Sequence, residues 1–223
     1  MDNLMSWFDD IQHIKTENAH TISPLIEQEW VDVQDQVRKQ GTALGDGEYG
    51  RDDQQSIEKK ELDILVNVIR KSIDERKSKS ILVFAESKKT IDKICEALRL
   101  AEIKSLPYYP DIAVQGRAMT LMLFQSQQLP VMVCNNLAAR GLDTLHVQHM
   151  IQFEFAKTSV DYFHRVGRVG RMGQRGAFVT NFVRRPQDVE IARVIAKQLQ
   201  TEQNWDKILS TRVPKKKRAS HNS

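Results

Sequence analysis

The 223 residues include only two cysteines, Cys95 and Cys134, and no CxxC pair. That scarcity excludes a thiolate metal centre and a disulfide framework. Both thiols read as reduced core groups of an intracellular protein, and no metal site is expected. No apolar run approaches the ~20 residues that a membrane helix needs, so no membrane association is expected. The first ten residues, MDNLMSWFDD, are acidic and lack the apolar stretch of a secretory signal. A GxxxxGK[ST] phosphate loop occurs nowhere. Its lysine and backbone cradle are main parts of phosphoryl-transfer sites, so this chain alone is expected not to hydrolyse a nucleotide. One further deficit is local: from His164 to Gly176 there is neither a lysine nor an acid.

What that stretch does contain is Arg165, Arg168, Arg171 and Arg175, spaced by Gly167, Gly170, Gly173 and Gly176. A guanidinium offers a rigid fork of donors matched to phosphate oxygens, which an ammonium lacks. Arg168 and Arg171 are three apart, so on one helical turn they would project from the same face. The glycines remove side chains that would hold a ligand off the backbone. A solvated basic turn is the alternative, but such runs ordinarily mix in lysine. The net charge of +4 is unevenly placed, with a second basic run at PKKKR (214–218) and an acidic, glycine-rich patch from Asp46 to Asp53. The asymmetry points to a phosphate-bearing partner on one face.

A content of 40% hydrophobic and 28% charged residues is that of a soluble globular chain with a full core. PLIEQEWVDV (24–33) reads as a strand, followed by a polar, mobile loop over 35–55. A helix is expected from about Ser56, with Leu62, Leu65, Val66 and Ile69 at helical spacing. Short apolar runs at 81–84, 105–109, 130–134, 149–153 and 176–182 then alternate with helices over 88–100, 114–126 and 186–200. Pro186 suits the first turn of the last helix. Continuous apolar strands alternating with amphipathic helices predict a parallel α/β sheet covered on both faces. Ligands bind such sheets at the carboxyl ends of the strands, where the loops 134–143 and 164–176 would emerge.

Four short stretches, in order, resemble the C-terminal RecA-like domain of DEAD-box RNA helicases. HRVGRVGR (164–171) looks like motif VI, NNLAARGLD (135–143) like motif V and VFAES (83–87) like motif IV. Arg117, seven residues before Phe124, falls where the motif IVa arginine stands. The resemblance covers about residues 22–200 and implies a RecA-like parallel sheet with helices on both faces. It implies a first lobe ending within residues 1–21, an insertion at about 34–55 and a basic tail over 201–223. It also implies roles. Arg168 and Arg171, with His164, would serve the catalytic site as arginine fingers and their support. Gly141, Asp143, Arg168 and Arg171 would meet the nucleotide. Phe84, Ser87, Arg117, Asn135 and Gly141 would lie along the RNA backbone, while Arg165 with His164 would link the nucleotide site to the interdomain surface. The cofactor implied is ATP, with Mg²⁺ held by an N-terminal lobe. The partners implied are RNA, that lobe of the same enzyme, and protein cofactors.

Two readings stay open. In one, the chain is the C-terminal lobe of an ATP-dependent RNA helicase, an enzyme only as part of a two-lobed protein. In the other, it is a non-catalytic helicase-derived module that binds RNA or protein. Intact motif VI favours the first. Asn135-Asn136, where the pattern has Thr-Asp, favours the second. With Val114 where the pattern has glutamine and Tyr109-Pro110 where it has His-Gly, that change falls on the RNA side and implies weaker or altered RNA contact. Bland roles stand beside these: Phe84 as core, Ser87 as a helix cap, Arg140 as structural, His146 and His149 without function. An intracellular location is expected; nucleus, cytoplasm and organelle all stay open, since PKKKR suits either nuclear import or RNA.

Overall fold

The computed structural model describes residues 26–39, 51–136, 146–170 and 176–199. Six strands are present among them: β1 (Glu27–Asp32), β2 (Ile81–Phe84), β3 (Ser105–Tyr108), β4 (Val131–Cys134), β5 (His149–Gln152) and β6 (Phe178–Val183). They form one parallel sheet in the order β1-β6-β5-β2-β4-β3. The described helices are α1 (Val33–Lys39), α2 (Arg51–Asp74), α3 (Lys88–Leu100), α4 (Val114–Gln125), α5 (Ser159–Val166) and α6 (Pro186–Leu199).

Every residue of β2, β4 and β5 is buried, which explains why these strands read as unbroken apolar runs. Alternate side chains feed opposite faces. Ile81, Val83, Val131, Val133 and Ile151 pack with residues of α1, α2 and α3. Leu82, Phe84, Met132, Cys134 and Met150 pack with residues of α4, α5 and α6. Burying each such large apolar side chain contributes roughly 1.5–3 kcal/mol, so the two covered faces carry the fold. Cys134 is buried, and burial pushes its thiol up to about 12. Cys95 is half-buried and pushed up to about 11, again by burial. Neither is paired with the other. No helix among the described residues is long and apolar enough to cross a membrane.

The stretch read as a polar loop over 35–55 differs at both ends. Asp32 Oδ1 accepts from the Asp35 amide at 2.8 Å, a side-chain cap that starts α1 directly after β1. Val33 and Val37, one helical turn apart, are each 1% exposed and anchor that helix. Two apolar residues are too few for a periodic pattern to show. At the other end α2 begins at Arg51, ahead of Ser56. The last helix opens at Pro186 as its sequence suggests, and Asp188 caps it by accepting from the amides of Arg184 and Arg185.

His149, without an expected role, is a structural tie at the amino edge of the sheet. It is fully buried, with Nδ1 2.9 Å from Ser72 Oγ and Nε2 2.9 Å from Thr180 Oγ1. The Thr180 hydroxyl donates to Glu29 at 3.5 Å, so it accepts from Nε2–H and leaves Nδ1 to accept from Ser72. Phe178 stacks on the imidazole at 3.8 Å, and the Arg76 guanidinium covers Phe178 while pairing with Glu27 at 3.3 Å. Burial first, and then the Arg76 charge, hold His149 well below the usual imidazole range. Below about pH 6.5 an unfolded chain's imidazole takes up a proton that the folded one refuses. Stability is therefore expected to fall with pH by up to ~1.4 kcal/mol per unit, until His149 itself protonates. Denaturant titrations between pH 7.5 and 5.5 check this (about two units, spanning the free imidazole range), with a flatter profile expected for His149→Gln.

Candidate functional site

All six strands are parallel, so the loops that follow them share one edge of the sheet, the edge where α/β sheets bind ligands. Helix α5 delivers Arg165 to this edge. Thr158 caps it, accepting from the Asp161 amide at 3.0 Å and donating to the Asp161 carboxylate at 3.0 Å. Tyr162, Val166 and Val169 bury one face, and the Tyr162 hydroxyl donates to Gln28 on β1. The helix ends at Val166. Arg168 and Val169 then continue in turns, their amides bonding to the carbonyls of Arg165 and Val166. Arg168 therefore sits beyond the helix, not on the helical turn that its spacing from Arg171 suggests.

Arg165 corrects the sequence reading. It is 2% exposed and cannot face an interdomain surface. Its Nε donates to Asn136 Oδ1 at 2.6 Å, and its Nη1 donates to Gln152 Oε1 at 3.1 Å and to the Glu154 carbonyl at 2.6 Å. Its guanidinium lies 5.1 Å from the centre of the Phe84 ring. One side chain thus clamps the ends of β2, β4 and β5 to α5. All its direct acceptors are neutral, and burial holds Arg165 below the usual arginine range.

Arg168 is half-buried at the same edge, and its charge acts on the Cys134 thiol at the end of β4. His164 is exposed on the last turn of α5, not interior. Gly170 adopts φ +65°, and a Cβ there would lie 2.8 Å from Ile26 Cγ1, just before β1. Only glycine serves both demands. Gly141, Asp143, Arg171 and Arg140 lie outside the described residues.

The residues expected along RNA divide. Phe84 is 1% exposed and its carbonyl already accepts from the Glu154 amide at 3.2 Å, so its side chain belongs to the core. Ser87 is exposed and caps α3, with Oγ accepting from the Thr90 amide at 3.0 Å. Asn135 directly follows β4 and is half-buried. Arg117 donates to the Pro110 carbonyl at 2.5 Å. Lys88 Nζ lies 5.5 Å from the ring of Tyr109, the residue before Pro110, so Lys88 and Arg117 approach adjacent residues of one segment.

Sequence reasoning missed Lys88 and Lys89. They stand exposed in the first turn of α3, which holds no acid, where the helix dipole already favours anions. The signal was present: a capping serine followed at once by two lysines. Nearby, the residue ahead of α4, Ala113, offers no side-chain cap, which leaves amide donors at the helix start.

A family model described as "Helicase conserved C-terminal domain" matches residues 60–173. DEAD-box ATP-dependent RNA helicase 39 of Arabidopsis thaliana is 34% identical over 135 residues, covering 60% of this chain and 21% of its own length. ATP-dependent RNA helicase DRS1 of Kluyveromyces lactis is 33% identical over 150 residues, covering 67% of this chain and 20% of its own. The chain thus spans about one fifth of the length of the curated relatives it matches. Among solved structures, S. cerevisiae Dbp5 bound to RNA and ADP BeF3 shares the fold at 18% identity and TM-score 0.67, covering 94% of this chain and 50% of its own. A structure of the C-terminal domain of the DEAD-box protein Dbp5 gives TM-score 0.60 at 20% identity, over 84% of this chain and 96% of its own. The chain belongs to the helicase conserved C-terminal domain family and is a RecA-like C-terminal domain of the DEAD-box type.

Proposed function

We propose that this chain is the second lobe of an ATP-dependent RNA helicase, completing a nucleotide site whose phosphate loop and metal-binding acids stand on an N-terminal lobe. The observation that carries this reading is Arg168, set in a tight turn at the carboxyl edge and anchored through the buried Arg165 clamp. A guanidinium carried on such a turn would meet charge that grows on a γ-phosphate during transfer. Arg171 and His164 would act beside it, and Gly141 and Asp143 would meet the nucleotide. Among the described residues no cluster of His, Cys, Asp or Glu could hold a metal ion. Mg²⁺ would be held by the acids of the N-terminal lobe, as the family resemblance implies. Release of phosphate by this chain alone, stimulated by RNA, would refute the composite site.

RNA would run over Ser87, Lys88, Lys89 and Arg117, with Asn135 and Gly141 beside them. These groups offer charge and donors to phosphates and nothing that distinguishes bases, so binding should tolerate any sequence. Replacing Lys88 and Lys89 together by glutamate is expected to weaken binding of a single-stranded oligoribonucleotide at least about tenfold and to flatten its salt dependence between ~50 and ~200 mM. An unchanged salt slope would remove these lysines from the RNA path. One observation favours the non-catalytic module: Asn136 meets buried Arg165 with an amide, where the motif V pattern has an acid. Protein cofactors fit either reading, as S. cerevisiae Dbp5 has been solved bound to Gle1.

A further inference from the structure

Gln152 on β5 and Asn181 on β6 stand side by side in the sheet register, with Phe84 beside Gln152 and Trp30 beside Asn181. Two residues on from Met150 and Val179, they share the sheet face that α5 covers. Both amides are fully buried. Gln152 Nε2 donates to Asn181 Oδ1 at 2.9 Å, and Asn181 Nδ2 donates to the Glu29 carbonyl on β1 at 3.4 Å. Asn181 also bonds to the Tyr162 hydroxyl, which in turn donates to Gln28 on β1.

This chain of bonds has one direction, and Arg165 sets it. A guanidinium only donates, so Gln152 must turn its oxygen to Arg165 Nη1, 3.1 Å away, and its NH₂ to Asn181. Asn181 must then turn its oxygen to Gln152, which leaves its NH₂ for Glu29 and Tyr162. The Tyr162 proton is left for Gln28. Neither amide can flip without setting donor against donor or acceptor against acceptor. Bonds aligned head to tail in this way strengthen one another. An apolar pair of the same shape would hold β5 against β6 about as firmly, because buried amides add little net stability once their water is lost. What the amides add is a fixed orientation.

We propose that Gln152 and Asn181 are positioning residues for Arg168: they hold Arg165, and with it the turn that follows α5, at a fixed place relative to β1. The proposal rests on the reading of Arg168 as an arginine finger. The path from the amides to that finger is short. The Arg168 amide donates to the Arg165 carbonyl at 2.9 Å, so Arg165 and the turn move together. Asn181 also grips α5 at two places, through Gln152 to Arg165 and directly to Tyr162, one helical turn earlier. A helix tied at both places cannot slide or rotate without breaking a bond. Such precision matters at a catalytic group, where a misplacement of ~1 Å can cost on the order of 100-fold in rate.

The test replaces both amides at once by apolar side chains of nearly the same shape, Gln152→Met with Asn181→Leu. The melting temperature of this double variant is expected within about 2 °C of the parent, since no partner is left stranded between the two. Native-state hydrogen exchange on this chain should show the Arg168 amide exchanging at least about tenfold faster, with the amides of β2 and β4 unchanged. In the two-lobed protein, RNA-stimulated kcat should fall at least about tenfold while the KM for ATP stays put. Gln152→Glu is the second variant and serves if the double one unfolds. It keeps an oxygen for Arg165 and removes the donor to Asn181, so the same two changes are expected. Parent exchange at the Arg168 amide in the folded variants overturns the proposal. So does parent turnover in them where Arg168→Ala loses it. If Arg168→Ala itself keeps full turnover, the finger reading has failed, and faster exchange at Arg168 still supports the hold of Gln152 and Asn181 on the turn.

Discussion

In the complete two-lobed protein, Arg168→Ala is expected to lower RNA-stimulated ATP turnover by about 10³-fold or more while the melting temperature moves by no more than about 2 °C. An arginine finger acts on charge that appears only in the transition state, so its removal falls on kcat and not on nucleotide affinity. Arg168 lies past the end of α5 and is half-buried. Arg168→Lys should recover little, because it keeps the charge and loses the planar fork. Arg171→Ala should behave in the same way. The measurement is turnover and melting on the same preparations. Full turnover would end the finger reading, and matched losses of turnover and folding would show that Arg168 is structural.

Arg165→Ala is expected to do the reverse, costing about 3–5 kcal/mol of stability and lowering the melting temperature by roughly 10 °C. The change strands Asn136 Oδ1, Gln152 Oε1 and the Glu154 carbonyl, three acceptors that lose their donor together. It also empties the space over Phe84. Asn136→Asp should stabilise the chain by about 1–2 kcal/mol, since a carboxylate 2.6 Å from Nε would match the charge that the amide only solvates. That gain should vanish in an Arg165→Ala background, which a double-mutant cycle by denaturant titration measures. An Asn136→Asp gain that survives without Arg165 would show that the amide is not its partner.

The contrast between these two arginines marks where the sequence was legible. Runs such as ILVF and VMVC announce strands buried on both faces, because nothing else keeps four apolar residues in a row away from water. The neighbouring parallel strands β5, β2 and β4 follow from them. Spacing among arginines carries no such information about direction. Where α5 stops decides that Arg165 is buried and Arg168 only half so, and Gly167 caps that stop with its amide on the Phe163 carbonyl. Helix α1 escaped notice because its anchors are only two valines. Ser87 was legible as a cap, whereas Lys88 and Lys89 gain meaning only once Tyr109 and Arg117 are folded beside them.

Ile26 occupies the space that Gly170 leaves by having no side chain. The consequence is mechanical. The chain leading into β1 and the turn that carries Arg168 mesh like a tooth in a notch, two residues from the guanidinium. A displacement of the chain ahead of β1 reaches that arginine through this contact, and a displacement of the chain after β4 reaches it through Asn136 and Arg165.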